Sequence, residues 1–348
     1  MKIGKYSIGD NQPVFIIAEA GINHNGKMDI AYDLIDAARD SGADAVKFQT
    51  FITENIIHPN CPRPSHEEEN IPENISHFDL VKKWELPFES YEKLKNYSEN
   101  NGLIFISTPY DIESAELLIE LQCDAIKIAS SDMSNYPLLD KIRHTQIPII
   151  LSTGMNYWYE IVDSINFIKE KTNKLCVLKC TSNYPASYEG INLNGLTRLK
   201  DQYPNSLFGF SDHTEGFEAS IASLGFGVRI IEKHLTLEKK SWGPDHKASL
   251  DPNQFKNFVH HIKNAEKTLG DRNWEVQEEE TSQRNVMQKG TYVNKDIKKG
   301  TAITMDDVIF LRPKNGISPK EFFLEYNNKI INTDLRFRDE LSAEYFKN

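Results

Sequence analysis

Residues 43–50 read ADAVKFQT, a short run of strand-forming residues with a lysine in its middle. Strand alternation sends Val46 and Phe48 to one face and Lys47 and Gln49 to the other. If helices coat one face with an apolar layer, the ammonium must point to the opposite side, where something polar has to meet it. The same tension recurs in seven other runs: VFIIAEAG (14–21), LIFISTP (103–109), CDAIKIASS (123–131), IPIILSTG (147–154), LCVLKCTSNYP (175–185), SLFGFSDHT (206–214) and VRIIEKHLTL (228–237). Helical periodicity separates them, as in MDIAYDLIDAARDSG (28–42) and YWYEIVDSINFIKEKT (157–172). Eight strands alternating with helices over about 270 residues predict a (β/α)8 TIM barrel, with a doubly wound sheet as the weaker alternative.

Around that barrel the chain divides into parts. KIGKYSIGDNQP (2–13) reads as a hairpin turning at Gly9-Asp10-Asn11 and closing the barrel floor, and a long insertion separates the second and third strands. The acidic run DRNWEVQEEETSQR (271–284) breaks the periodicity and is expected to link residues 1–270 to a small α+β module over 285–348. In that module Thr304 with Asp307, and Ser318 with Pro319 and Glu321, are helix-start signals.

Composition excludes several function classes. A net charge of −11 and the lack of a basic stripe argue against nucleic-acid binding, and no apolar run is long enough to span a membrane. Cys61, Cys123, Cys176 and Cys180 have neither disulfide-framework nor zinc spacing, and no signal peptide is visible, so a reducing cytoplasm is expected. Cys176 and Cys180 share one strand face and are expected to be small packing residues.

In a barrel of this kind, chemistry sits at the carboxyl ends of the strands. Those ends carry Glu19, Lys47 and Gln49, Thr108, Lys127 and Ser130, Ser152, Asn183 and Tyr184, Ser211 and His213, and Glu232 and His234. Ser211, Asp212 and His213 do not form a hydrolase triad, because Asp212 faces away from its neighbours and no G-x-S-x-G turn occurs. His213 and His234, on adjacent strands, can converge on one metal with oxygen ligands, a choice that suits Mn²⁺ or Mg²⁺ better than closed zinc. Lys47 and Lys127, with Thr108, Ser130, Ser152, Asn183 and Ser211, suit a small phosphate and carboxylate ligand; the rival is a lysine forming a Schiff base.

In order and spacing, IAEAGINHNG, DAVKFQT, ISTPYD, IKIASSD, LSTGM, CTSNYPA, SDHTEG, IEKHLTL and GPDHKASL resemble the sialic acid synthase family of phosphoenolpyruvate-dependent nonulosonic acid synthases. The tail resembles that family's antifreeze-like (SAF) domain. The resemblance implies condensation of phosphoenolpyruvate with an N-acylmannosamine-type sugar, aided by a divalent metal, usually Mn²⁺, with Mg²⁺ or Co²⁺ as alternatives. It implies that Lys47, Thr108, Lys127, Ser130, Ser152, Asn183 and Ser211 hold phosphoenolpyruvate and that His213 and His234 hold the metal. Glu19, Gln49, Tyr184, Glu232 and Asp245 would meet the sugar, with Glu19, Lys47, Lys127 and Glu232 at the chemistry. Arg312 would reach the N-acyl group from the partner of a domain-swapped homodimer. The product would be N-acetylneuraminate, or legionaminate if the sugar is a 2,4-diacetamido-trideoxy mannose. RNVMQKGTYV (284–293) departs from the family pattern, and no contact is assigned there. His24 is expected to be a loop residue. A Schiff-base aldolase and a non-catalytic sugar-binding protein are the competing classes.

Overall fold

The computed structural model describes residues 1–63, 75–271 and 273–346. It forms two units, Met1–Gly270 and Asp271–Asn348. Part of the expected insertion, residues 64–74, lies outside the described residues; the rest includes a helix, His77–Trp84, capped by Ser76.

In the first unit, strands β1 (Lys2–Ile3) and β2 (Tyr6–Ser7) pair antiparallel. The hairpin turn falls at Gly4-Lys5 rather than at Gly9-Asp10-Asn11. Gly4 supplies the positive φ of 51° that the tight connection needs, and a Cβ there would lie 2.4 Å from Ile104. Ile3 and Ile8 close the barrel floor against Phe15 and Ile104.

Eight parallel strands follow and close into a barrel: β3 (Phe15–Gly21), β4 (Ala45–Thr50), β5 (Ile104–Pro109), β6 (Ala125–Ile128), β7 (Ile149–Ser152), β8 (Leu175–Cys180), β9 (Leu207–Asp212) and β10 (Ile230–His234). All eight expected strands are present. Their inward faces carry Phe15, Ile17, Ala45, Ile106, Ala125, Ile150, Leu178 and Ile230, a packed apolar interior. Gly209 belongs to that layer because a Cβ would meet Leu178 at 2.4 Å and the Ile230 carbonyl at 2.5 Å. The outward faces, including Ala18, Val46, Phe48, Phe105, Ile126, Leu151, Val177 and Phe210, pack against the helices. The helix Met28–Asp40 shows the logic: Ala31, Leu34, Ile35 and Ala38 recur at helical spacing and are its buried stripe.

Among the described residues, one outward-facing charged pair breaks the apolar rule. Lys233 and Asp212 are both fully buried behind the barrel wall, 3.4 Å apart. Lys233 donates to the Thr214 carbonyl, and Asp212 accepts from the Thr214 amide and hydroxyl and from Ser220. Breaking such a pair leaves a buried charge uncompensated and costs about 3–5 kcal/mol. Asp212→Asn is therefore expected to lower the urea denaturation midpoint sharply. The double variant Asp212→Leu with Lys233→Met should recover much of the loss, and equal midpoints for wild type and Asp212→Asn would disprove the pairing's role.

In the second unit, β11 (Gly290–Val293) and β12 (Val308–Leu311) pair antiparallel over a core that includes Val293, Ile303, Phe322 and Leu341. The two helix-start signals form capping boxes, Thr304 with Asp307 and Ser318 with Glu321. Part of the expected linker is helical: a turn over Glu278–Glu280 runs into the helix Thr281–Met287, with no buried residue in either.

Candidate active site

One step beyond the apolar interior, the inward faces turn polar. Glu19, Lys47, Thr108, Lys127, Ser152, Ser211 and Glu232 continue the period-two series of Ile17, Ala45, Ile106, Ala125, Ile150, Gly209 and Ile230. They line one cavity, open to solvent at the carboxyl ends of the strands, together with Gln49, Ser130, Tyr184, His213 and His234.

Charge is concentrated on its floor. Lys47 Nζ lies 2.8 Å from Glu19 Oε2 and 3.7 Å from Glu232 Oε2, and donates to Thr108 Oγ1 at 3.1 Å. Lys127 Nζ donates to Ser152 Oγ at 2.6 Å and to the Ile128 carbonyl at 3.1 Å, while Ser211 donates to Glu232 at 3.0 Å. All four charged groups are buried. Burial pushes the Glu19 carboxyl up to about 7; Lys47 opposes the rise and Glu232 adds to it. Burial also raises Glu232, but Lys127, Lys47 and the Ser211 hydroxyl outweigh it and hold that carboxyl below its ordinary value. Two carboxylates sharing one lysine are thus pushed apart, with Glu19 the one poised to exchange a proton near neutral pH. For Lys127, burial is the main cause and lowers the ammonium.

Across the mouth, His213 and His234 sit with ring centroids 5.2 Å apart, and the Tyr184 ring lies against both, at 4.2 and 5.7 Å. His213 Nδ1 lies 2.8 Å from the Thr181 carbonyl, which holds the ring and leaves Nε2 for a ligand. His234 Nδ1 is buried without a hydrogen-bond partner among the described residues, 3.6 Å from Asp245 Oδ2. Two imidazoles with one orphaned nitrogen and nearby carboxylates fit a divalent ion that takes its other ligands from water or substrate oxygens. Among the described residues, no group of three or more His, Cys, Asp or Glu is placed to hold a metal by itself.

The remaining expected residues divide. Gln49 donates to Glu19 at 3.4 Å. Ser130 accepts from the Gly154 amide at 2.9 Å, and a Cβ on Gly154 would lie 2.2 Å from Ser182 Oγ, so this glycine lets backbone approach the two hydroxyls. Asp245 is buried behind His234 and does not line the cavity. Arg312 belongs to the second unit, where its guanidinium is exposed beside Met287. His24 is a buried loop residue whose Nδ1 accepts from the Gly26 amide; burial lowers it to about 4.

Asn183 is a correction. It is exposed, bonded to the Pro185 carbonyl and outside the cavity lining, where Ser182 stands instead. Parity gives the reason: Leu178 and Cys180 face inward, so Ser182 and Tyr184 continue that face and Asn183 opposes it. Cys180 is a second correction. Cys176 packs in the barrel interior as expected, but Cys180 lines the cavity, with Sγ 3.8 Å from His213 Nδ1. Burial raises its thiol, yet His213 and Lys127 bring it down to about 7. Sequence reasoning also missed Tyr110, two residues past Thr108, and Met155, which lines the cavity at 70% exposure with a left-handed φ of 54°.

Comparison with known proteins places this arrangement in context. The NeuB family model matches residues 34–273. An N,N'-diacetyllegionaminic acid synthase from Legionella pneumophila is 37% identical, covering 90% of this chain and 89% of the relative. Its namesake from Campylobacter jejuni is 38% identical, covering 94% and 98%. The crystal structure of an N-acetylneuraminic acid (sialic acid) synthetase from Leptospira borgpetersenii, in complex with citrate, matches with a TM-score of 0.72 at 33% identity, covering 81% of this chain and 94% of that one. Among the described residues, no helix is long and apolar enough to cross a membrane.

Proposed function

The chain belongs to the NeuB family of synthases, and we propose that it condenses phosphoenolpyruvate with an open-chain N-acylmannosamine-type sugar and water, releasing phosphate. The observation that carries this reading is one cavity lined by two ammoniums, several hydroxyls, two imidazoles and two carboxylates. Lys47, Lys127, Thr108, Ser130, Ser152 and Ser211, with Ser182 in place of Asn183, hold the phosphate and carboxylate of phosphoenolpyruvate. Glu19, Gln49, Tyr184 and Glu232 meet the sugar, backed by Asp245. His213 and His234 hold a divalent ion, for which Mn²⁺ is the first candidate; when bound it polarises the sugar's aldehyde oxygen.

The C2=C3 π pair of the enol phosphate forms the bond from C3 to the aldehyde carbon, and the carbonyl π pair passes to its oxygen, which ends with the proton released when water adds at C2. Fixing both reactants in one enclosed site supplies the orientation. Water then adds at C2 and gives up a proton, for which Glu19 is the poised acceptor; the new C2 hydroxyl loses its proton and becomes the ketone as the C2–O bond breaks and phosphate leaves with the bonding pair. The second unit is a SAF domain on this reading, and it supplies Arg312 to the partner's site in a swapped homodimer.

A phosphate-release assay tests the function with phosphoenolpyruvate and either N-acetylmannosamine or 2,4-diacetamido-2,4,6-trideoxymannose. The names of the relatives at 37% and 38% identity favour the second sugar and hence a legionaminate product. No phosphate release with either sugar would refute the reading.

The swap has its own test. Lys47→Ala and Arg312→Ala chains, each inactive alone, are co-expressed. With random pairing, half the dimers are mixed, and a swapped mixed dimer carries both defects in one mouth and none in the other. Activity should return to about a quarter of wild type. Verified mixed dimers without recovery would exclude the swap.

A further inference from the structure

Beyond the cavity, two loops that lie far apart in sequence but follow the adjacent strands β3 and β10 are stitched together by buried side chains. One, residues 22–26, follows β3; the other, residues 235–250, follows β10 and carries Asp245. Asn23 Nδ2 donates to the Leu235 carbonyl at 2.8 Å and to Ser249 Oγ at 2.9 Å. At the centre stands His246, only 2% exposed, with Nδ1 2.7 Å from Thr236 Oγ1 and Nε2 3.4 Å from Asn25 Nδ2. Its two ring nitrogens thus face Thr236 and Asn25, and the Thr236 hydroxyl also reaches the Glu238 carbonyl at 3.2 Å. Burial lowers His246 to about 4, which keeps this ring neutral around pH 7.

The backbone is built for that ring. Gly243 has φ of 147°, and a Cβ on it would meet His246 Cδ2 at 2.8 Å and Nε2 at 3.0 Å. The loop returns to the barrel through the Leu250 amide, which donates to the His234 carbonyl at 2.9 Å, and the Thr236 amide, which donates to the Leu250 carbonyl at 3.0 Å. The residue next to the pin, Asp245, ends 3.6 Å from His234 Nδ1.

We propose that His246 is a positioning residue: it pins the loop after β10 to the loop after β3 and thereby fixes Asp245 on the sugar side of the cavity. The pin touches neither the lysines nor the serines that face phosphoenolpyruvate. Its loss should therefore weaken use of the sugar and spare the other substrate. This consequence rests on the reading of Asp245 as a sugar-side group, whereas the pin itself does not.

The test combines hydrogen exchange with steady-state kinetics. In His246→Ala, the amides of Thr236, Ser249 and Leu250 should exchange at least tenfold faster than in wild type, with the other barrel strands unchanged. The KM for the sugar should rise about tenfold while that for phosphoenolpyruvate stays within twofold. His246→Gln, whose longer amide reaches the place of Nε2 beside Asn25, should restore part of both effects. Unchanged loop exchange would overturn the pin. Faster exchange with both KM values moved equally would overturn the role toward the sugar. If His246→Ala does not fold, Asn25→Ala, which severs only the Nε2 contact, carries the same comparison. If wild type itself releases no phosphate, the functional reading fails, while loop exchange still decides the pin.

Discussion

Chains carrying His213→Ala or His234→Ala are expected to fold normally and to lose metal-dependent turnover by roughly a thousandfold, the equivalent of several kcal/mol of carbonyl polarisation. Neither ring supports the apolar core: both stand above the barrel's packed interior, facing each other across 5.2 Å at the strand ends. Their worth lies in convergence, so removing either should cost nearly as much as removing both. Two measurements separate this from a general defect. Direct titration with Mn²⁺ should lose its tight site in each variant, and thermal unfolding in the absence of metal should match wild type. A His213→Ala chain that binds Mn²⁺ as tightly as wild type would remove these histidines from the metal's site.

Lys127→Met is expected to lower kcat/KM for phosphoenolpyruvate by about a hundredfold or more, while leaving measurable turnover. A charge-assisted clamp lost from a site with several other donors costs a few kcal/mol rather than everything. The variant should fold, because Lys127 donates to Ser152 and to the Ile128 carbonyl and is not a member of the Glu19–Lys47 ion pair. Methionine preserves much of the stem's volume. A Schiff-base aldolase predicts otherwise: complete loss in Lys127→Met, and covalent trapping of pyruvate on Lys127 by borohydride in wild type. Trapping would replace the ionic role with a covalent one.

The barrel was legible because its two solvents differ. A strand with helices outside and a packed interior inside must be apolar on both faces until it reaches the mouth. Charged residues at Glu19, Lys47, Lys127 and Glu232 therefore marked both the carboxyl ends and the inward face. Period two carried most of the site from there. It misled only where its own parity was not followed past the strand end, at Asn183 against Ser182, and where a small residue was taken as filler, at Cys180. The outward pair Asp212 and Lys233 escaped for the opposite reason. Each reads as a surface charge until tertiary packing covers both and leaves them only each other and their local hydrogen bonds.

Local periodicity and strand-end chemistry thus sufficed for the eight strands, their order along the chain and the polar character of the mouth, because these depend on nearest neighbours in sequence. What needed the tertiary structure was every relation across the barrel or between loops. Glu19 and Glu232 come to share Lys47 because β10 lies beside β3, which closes a ring across more than two hundred residues of chain. Asp245 and His246 take their places because a loop with no periodicity folds back onto β3's loop. No local propensity encodes such a return; the partners that satisfy its buried polar groups lie far away in sequence.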